Sequence, residues 1–99
     1  MSESAGGSPL NVLVVDDELN IRKVLAACLE AEGHRVTAVG TFADAVQAVN
    51  RRSFDLAFVD LILGEQTALQ LIPLLLSANP WLKIVVVRRM RRWIPRSSP

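Results

Sequence analysis

The sequence has 99 residues, of which 51% are hydrophobic, enough apolar material for the core of one small domain but not for two. No apolar run reaches the ~20 residues of a membrane-spanning helix, and residues 1–9 lack the basic and apolar parts of a signal peptide, so we expect a cytoplasmic protein without a membrane segment. The formal net charge of +1 conceals an acidic body and a basic end, because every Asp and Glu precedes Val87 and five arginines follow it.

The first third of the chain predicts a leader, a strand and a helix. Residues 1–9 are rich in Ser, Gly and Pro and are expected to form a flexible leader. The apolar run Leu10–Val15 is of strand length and predicts a buried parallel strand. Residues 18–32 then show helical spacing, and Gly33 is well placed to end that helix in a left-handed conformation. Cys28 is the single cysteine and falls on the apolar face of this helix, which predicts a thiol buried in the core.

The middle of the chain repeats the alternation of strand and helix. Arg35–Val39 is predicted to form the second strand. Thr41 is predicted to cap a second helix, with Asp44 three residues on in a variant of the capping box. The apolar run from Phe54 predicts a third buried strand that ends at Asp60.

The last predicted elements are a third helix and a fourth strand. Gly64 allows a turn, after which residues 65–77 are predicted to form a helix that Pro73 kinks. Its inward face is predicted to carry Leu69, Ile72 and Leu76. Asn79-Pro80 breaks the chain before a buried strand at 82–87. The alternation of strands and helices favours right-handed crossovers, and therefore an α/β fold with a doubly wound parallel sheet.

Acidic residues follow two of the predicted strands. Asp16 and Asp17 end the first strand and Asp60 ends the third, and the ligand crevice of a doubly wound sheet lies beyond the carboxyl ends of its strands. Unit charges held ~4 Å apart near a protein surface repel by roughly 4 kcal/mol, so three clustered carboxylates require a cation or altered protonation. Oxygen ligands favour Mg²⁺ or Mn²⁺. Such a cation would neutralise an incoming phosphoryl group, and we assign to Asp60 the attack on phosphorus.

Two motifs carry a resemblance to a known family. The runs Val14-Val15-Asp16-Asp17-Glu18 and Phe58-Val59-Asp60-Leu61-Ile62-Leu63-Gly64 resemble the two acidic motifs of the receiver domains of two-component response regulators. The resemblance covers residues 11–87. Within the family, the run after Asp60 is most similar to receivers that head enhancer-binding transcription activators.

This resemblance implies a flavodoxin-like sheet with strand order 2-1-3-4 and a role for each acidic residue. Asp60 matches the aspartate that a histidine kinase phosphorylates. Asp17 matches the direct Mg²⁺ ligand, Asp16 the ligand that acts through water, and Ile62 the position whose backbone carbonyl completes the metal shell. The resemblance also implies that the chain is not a turnover enzyme, its chemistry being at most Mg²⁺-dependent self-phosphorylation on Asp60.

The end of the chain departs from the family pattern. A receiver usually has a fifth strand and a fifth helix, which this sequence lacks, so residues 10–87 are interpreted as an incomplete receiver domain and 88–99 as a basic tail foreign to the family. Arg88 stands where the family has Thr or Ser, and the family's Lys after the fifth strand has no counterpart. One hypothesis is that a one-base deletion after Val87 shifted the reading frame and truncated the domain. Codons for residues 87 onward can be chosen so that restoring one base encodes Val-Thr-Ala-His-Ala-Ser-Val-Asp, which is similar to the family's sequence at this point.

The departure has a structural consequence. Without a fifth strand, residues 84–87 would form a sheet edge with unpaired backbone groups, and without a fifth helix apolar sheet surface would be exposed. We therefore expect a homodimer, including one with exchanged elements, or poor solubility.

Three functions fit the sequence to different degrees. The leading hypothesis is a phosphoacceptor receiver that regulates transcription through an output domain outside this chain. The alternative is an interaction or nucleic-acid-binding protein that uses the arginine tail, with a vestigial acidic pocket. A phosphatase of the haloacid dehalogenase type needs Asp-x-Asp at its nucleophile, and Asp60-Leu61-Ile62 lacks the second acid.

Overall fold

A four-stranded parallel sheet forms the centre of the structure, a computed structural model that describes residues 8–88. In chain order the elements are β1 (Asn11–Val15), α1 (Leu19–Ala31), β2 (Arg35–Val39), α2 (Phe42–Arg51), β3 (Leu56–Asp60), β4 (Ile62–Leu63), β5 (Gln66–Thr67), α3 (Ala68–Ala78) and β6 (Lys83–Val87). The sheet order is β2-β1-β3-β6, and β4 and β5 form a separate antiparallel hairpin. When the two hairpin strands are not counted, β6 is the fourth strand along the chain, and the sheet has the expected order 2-1-3-4. The predicted doubly wound α/β fold is therefore confirmed.

The ends of the chain bear on two predictions. The leader at 1–9 and the basic tail at 88–99 fall largely outside the described residues, and both stay predictions. Arg88 is described and is exposed directly after β6. Within residues 8–88, no helix is long and apolar enough to cross a membrane.

Strand β1 is the most buried element. Val12, Leu13 and Val14 are fully buried, as expected for a central strand with parallel neighbours on both sides. Leu13 and Val15 belong to the core with α2 and α3, whereas the alternation of the strand turns Val12 and Val14 to the other face, which α1 covers. The acidic residues that follow β1 are therefore attached to the most buried strand of the sheet.

The prediction for Cys28 is wrong, because its side chain is exposed. Helix α1 has no buried residue, and its inward positions Leu25 and Leu29 are only half-buried. The helix packs mainly on β2, at one side of the sheet, and its other substantial contact within residues 8–88 is with β1. A helical apolar face identifies the side that turns inward, but burial also needs neighbours on both flanks.

The third helix differs from its prediction in start and in orientation. It begins at Ala68 rather than 65, because residues 62–67 form the hairpin and Thr67 caps the helix in a capping box with Gln70. The buried face carries Ala68, Leu71 and Leu75, while Leu69 of the predicted face is 69% exposed. The run of apolar residues surrounds most of the helix, so spacing alone could not select the side that packs on the sheet.

The predicted turns and caps are confirmed where backbone geometry decides them. Gly33 has φ +94° after α1, and Gly64 has φ +63° in the hairpin turn, conformations that residues with a Cβ rarely adopt. The Thr41 hydroxyl accepts a hydrogen bond from the Asp44 N–H at 3.0 Å at the start of α2. Helix α3 ends at Ala78, directly before the predicted break.

Candidate functional site

The predicted acidic residues meet at one edge of the sheet. Strands β1 and β3 are parallel neighbours with Val15 paired to Val59, so the residues that follow these two positions emerge side by side. One carboxylate oxygen from each of Asp16, Asp17 and Asp60 lies within 4.8 Å of the other two. These three residues are called the acidic cluster below.

Asp16 is the buried anchor of the acidic cluster. It is 3% exposed, its N–H donates to the carbonyl of Val39 at 3.1 Å, and its Oδ1 accepts from the Glu18 N–H at 2.8 Å. The first bond extends the pairing of β1 with β2 by one residue, and the second helps to organise the start of α1. A carboxylate tied to the backbone in this way has a fixed position before any ligand arrives.

Asp60 lies at the end of β3, opposite the end of β6. It is 2% exposed and is paired in the sheet register with Val87. Its Oδ1 accepts from the Ile62 N–H at 3.4 Å. Arg88 follows Val87 and so leaves the sheet at the same edge as the acidic cluster.

Ile62 lies in the hairpin next to Asp60. It pairs with Thr67 and is 40% exposed. The sequence-based role of its backbone carbonyl in a metal shell stays a prediction, which its position two residues after Asp60 permits.

Asp17 faces the hairpin turn. It is half-buried, and its Oδ2 accepts from the Gly64 N–H at 3.3 Å. A cleft of about 380 Å³ opens beside it, with walls from the β2–α2 turn and the hairpin. Sequence reasoning predicted the turn at Gly64 but missed this contact, because no local pattern relates residues 47 positions apart.

The acidic cluster suits a hard cation. Its three donors are carboxylate oxygens, the ligand type that Mg²⁺ and Ca²⁺ prefer. Ligands on opposite sides of an octahedral Mg²⁺ are about 4.2 Å apart, since each metal–oxygen bond is about 2.1 Å. Oxygens within 4.8 Å of one another are therefore close enough for small side-chain movements to bring them onto one ion.

The sheet is parallel, and the acidic cluster lies at the carboxyl ends of β1 and β3. This arrangement is typical of a class of α/β domains that bind phosphoryl groups or cations at that edge of the sheet. The family model for the response regulator receiver domain matches residues 12–91. The chain therefore belongs to the response regulator receiver domain family, and the predicted resemblance is confirmed.

Relatives and solved structures agree with this assignment. The chain is 38% identical over 85 residues to the alginate biosynthesis transcriptional regulatory protein AlgB of Pseudomonas putida, a match that covers 86% of the chain and 19% of the relative. It is 39% identical over 85 residues to the protein-glutamate methylesterase/protein-glutamine glutaminase of Azospirillum brasilense, covering 84% of the chain and 22% of the relative. The chain thus spans about a fifth of the length of these curated relatives.

A crystal structure of a response regulator from Burkholderia pseudomallei, with a phosphorylated aspartic acid, a calcium ion and citrate, superimposes with a TM-score of 0.75. The identity is 32%, over 78% of this chain and 45% of that one. Receiver domains bind Mg²⁺ at an acidic pocket, interact with histidine kinases, and are generally not turnover enzymes. One of the two relatives is named as a transcriptional regulator and the other as a methylesterase/glutaminase. Membership of the receiver family therefore does not by itself identify the activity that the receiver controls.

Proposed function

We propose that this chain is a phosphoacceptor whose Asp60 receives a phosphoryl group, with Mg²⁺ or Mn²⁺ held by Asp60, Asp17, the carbonyl of Ile62 and, through water, Asp16. The observation that carries the proposal is the acidic cluster, in which carboxylates from two adjacent strands bring oxygens within 4.8 Å of one another. The phosphorylated aspartic acid and calcium ion of the Burkholderia pseudomallei regulator support it by analogy.

The residues divide the chemistry between them. When bound, the metal ion would offset negative charge on the phosphoryl oxygens. An Asp60 carboxylate oxygen attacks phosphorus and forms a P–O bond, while the bond from phosphorus to the donor breaks and its electron pair leaves with the donor. The product on Asp60 is an acyl phosphate.

The test is the intact mass of the chain after incubation with acetyl phosphate and Mg²⁺. The wild-type chain is expected to gain one phosphoryl group, which is lost on mild base treatment. No phosphoryl group should be gained when the ion is chelated before the donor is added. Asp60→Asn should gain none. Asp55→Asn is the matched control, because Asp55 lies at the opposite end of β3, where its side chain accepts from the Asn11 N–H at 2.8 Å and an amide oxygen can do the same. An adduct that persists in Asp60→Asn would overturn the assignment of the acceptor.

The wider role follows from the family and remains part of the proposal. We infer a histidine kinase as the physiological donor, a cytoplasmic location, and regulation of transcription through an output domain outside residues 1–99, as the name of the Pseudomonas putida relative suggests. Nucleic acid would then be contacted by that output domain, or weakly by the arginine tail.

A homodimer, including one with exchanged elements, is proposed on the exposure of β6. Among residues 8–88 this strand is at the edge of the sheet, and Val85 and Val86 are 43% and 39% exposed. An apolar edge with one unpaired row of backbone groups favours pairing with a second copy.

A further inference from the structure

We propose that Arg22 is a positioning residue for the acidic cluster and that Gly40 is a glycine because a side chain there would displace the Arg22 guanidinium. The proposal rests on the metal-binding function proposed above for Asp17, and adds a residue to which neither the sequence motifs nor that function assigned a role.

The first observation is the contact that Arg22 makes. Its Nη1 donates a hydrogen bond of 2.8 Å to the backbone carbonyl of Asp16. Arg22 is in the first turn of α1, where its own N–H donates to the Glu18 carbonyl at 3.1 Å, so the helix start fixes the base of the side chain. The guanidinium therefore reaches back from the helix to the loop that carries two of the three acidic residues.

The second observation is the space at Gly40. A Cβ added there would lie 3.0 Å from Cζ of Arg22 and closer still to Nη1. Among residues 8–88, positive φ occurs at Gly33 and Gly64 and not at Gly40, so the backbone at Gly40 could accept a residue with a Cβ. The guanidinium, rather than backbone conformation, explains the glycine at this position.

These contacts matter because of the planarity of the peptide bond. The carbonyl that Arg22 holds belongs to the peptide group joining Asp16 to Asp17, so fixing that oxygen fixes the plane from which the Asp17 Cα emerges. On its other side, the Asp16 N–H is fixed by the Val39 carbonyl. Arg22 thus determines the direction from which Asp17 enters the acidic cluster, and Gly40 supplies the room for it.

The experiment compares Gly40→Ala, Arg22→Met and the double variant with the wild-type chain. The added methyl group meets the far end of a flexible side chain, so Gly40→Ala should displace the guanidinium while the chain remains folded and the arginine charge is retained. Lys23→Met is the control for loss of charge, since Lys23 is an exposed cation one position along α1. Far-UV circular dichroism verifies folding of each variant.

The first readout is the carbonyl ¹³C resonance of Asp16 in the metal-free protein. It should shift in Gly40→Ala and Arg22→Met, because each removes the hydrogen bond to that oxygen, and stay in place in Lys23→Met. The second readout is Mg²⁺ affinity by calorimetry, which should fall about tenfold in each single variant, the lower end of the range for outer partners of metal ligands. The double variant should bind no more weakly than Arg22→Met, because both changes break one contact.

An unchanged Asp16 carbonyl resonance in Gly40→Ala would overturn the proposal. So would a Gly40→Ala penalty on Mg²⁺ affinity that is equally large when residue 22 is Met. Failure of the wild-type chain to bind Mg²⁺ would instead refute the proposed function, and the carbonyl resonance of the metal-free variants would still decide whether Arg22 holds the Asp16–Asp17 peptide.

Discussion

Replacing Leu71 by Ala should strongly destabilise the chain, whereas the same change at Leu69 should not. Leu71 is fully buried against the sheet, and removing three side-chain carbons there costs about 2.4 kcal/mol at about 0.8 kcal/mol for each methylene-sized group. The cavity left behind raises the cost to about 3–4 kcal/mol. Leu69 is 69% exposed, so less than a third of that burial energy of about 2.4 kcal/mol is lost when its side chain is truncated, and a cost of about 0.7 kcal/mol is expected.

The assay is urea unfolding followed by far-UV circular dichroism, which gives the free energy of unfolding of each variant. A domain of this size has about 5–15 kcal/mol of stability, so Leu71→Ala should move the midpoint far to lower urea while Leu69→Ala stays near the wild type. A cost at Leu69 equal to or larger than that at Leu71 would refute the orientation of α3. It would restore the face that spacing alone had predicted.

Three further predictions concern a buried amide, a helix cap and the sheet edge. Asn79 is 6% exposed and its Oδ1 accepts from the Phe54 N–H at 2.9 Å, so Asn79→Ala should cost about 1–3 kcal/mol in urea unfolding by leaving that donor unsatisfied; a neutral result would contradict the bond. Thr41→Ala should cost about 1 kcal/mol by removing the cap of α2, and Thr41→Ser should recover most of it, as checked by thermal melting. Val85→Lys should abolish self-association in light scattering, because charge on an edge strand opposes pairing; a wild-type chain that is already monomeric would remove the basis for the proposed homodimer.

The sheet was predictable because its signals are local. The runs at residues 10–15 and 54–60 are each long enough for one strand and too apolar for a surface, so they predicted the buried strands β1 and β3 without knowledge of their neighbours. The same reasoning was wrong for the strand predicted at 82–87: no residue of β6 is buried, because β6 lies at the edge of the described sheet. The break at Asn79 and the left-handed turns at Gly33 and Gly64 depend on backbone preferences of single residues. The acidic cluster was predictable for a related reason, because the carboxyl ends of neighbouring parallel strands lie at one edge.

Packing of the helices was less predictable because it depends on what surrounds them. Cys28 lies on the apolar face of α1 and is nonetheless exposed, since the described chain covers that helix on one flank only. In α3 apolar residues occupy nearly every side of the helix, so the sequence does not show which side is buried. Packing against the sheet buries Leu71 and leaves Leu69 exposed.

The sequence by itself determined the order of the four sheet strands and three helices, and the place where acidic residues gather, because these follow from periodicity, turn residues and carboxylates at strand ends. Only the tertiary structure decided which partners hold those carboxylates. The Gly64 N–H at Asp17 and the Arg22 guanidinium at the Asp16 carbonyl, with Gly40 making room for it, are contacts between separate elements. No residue pattern along the chain encodes them, because the distances that matter are set when α1 and the hairpin pack around the edge of the sheet.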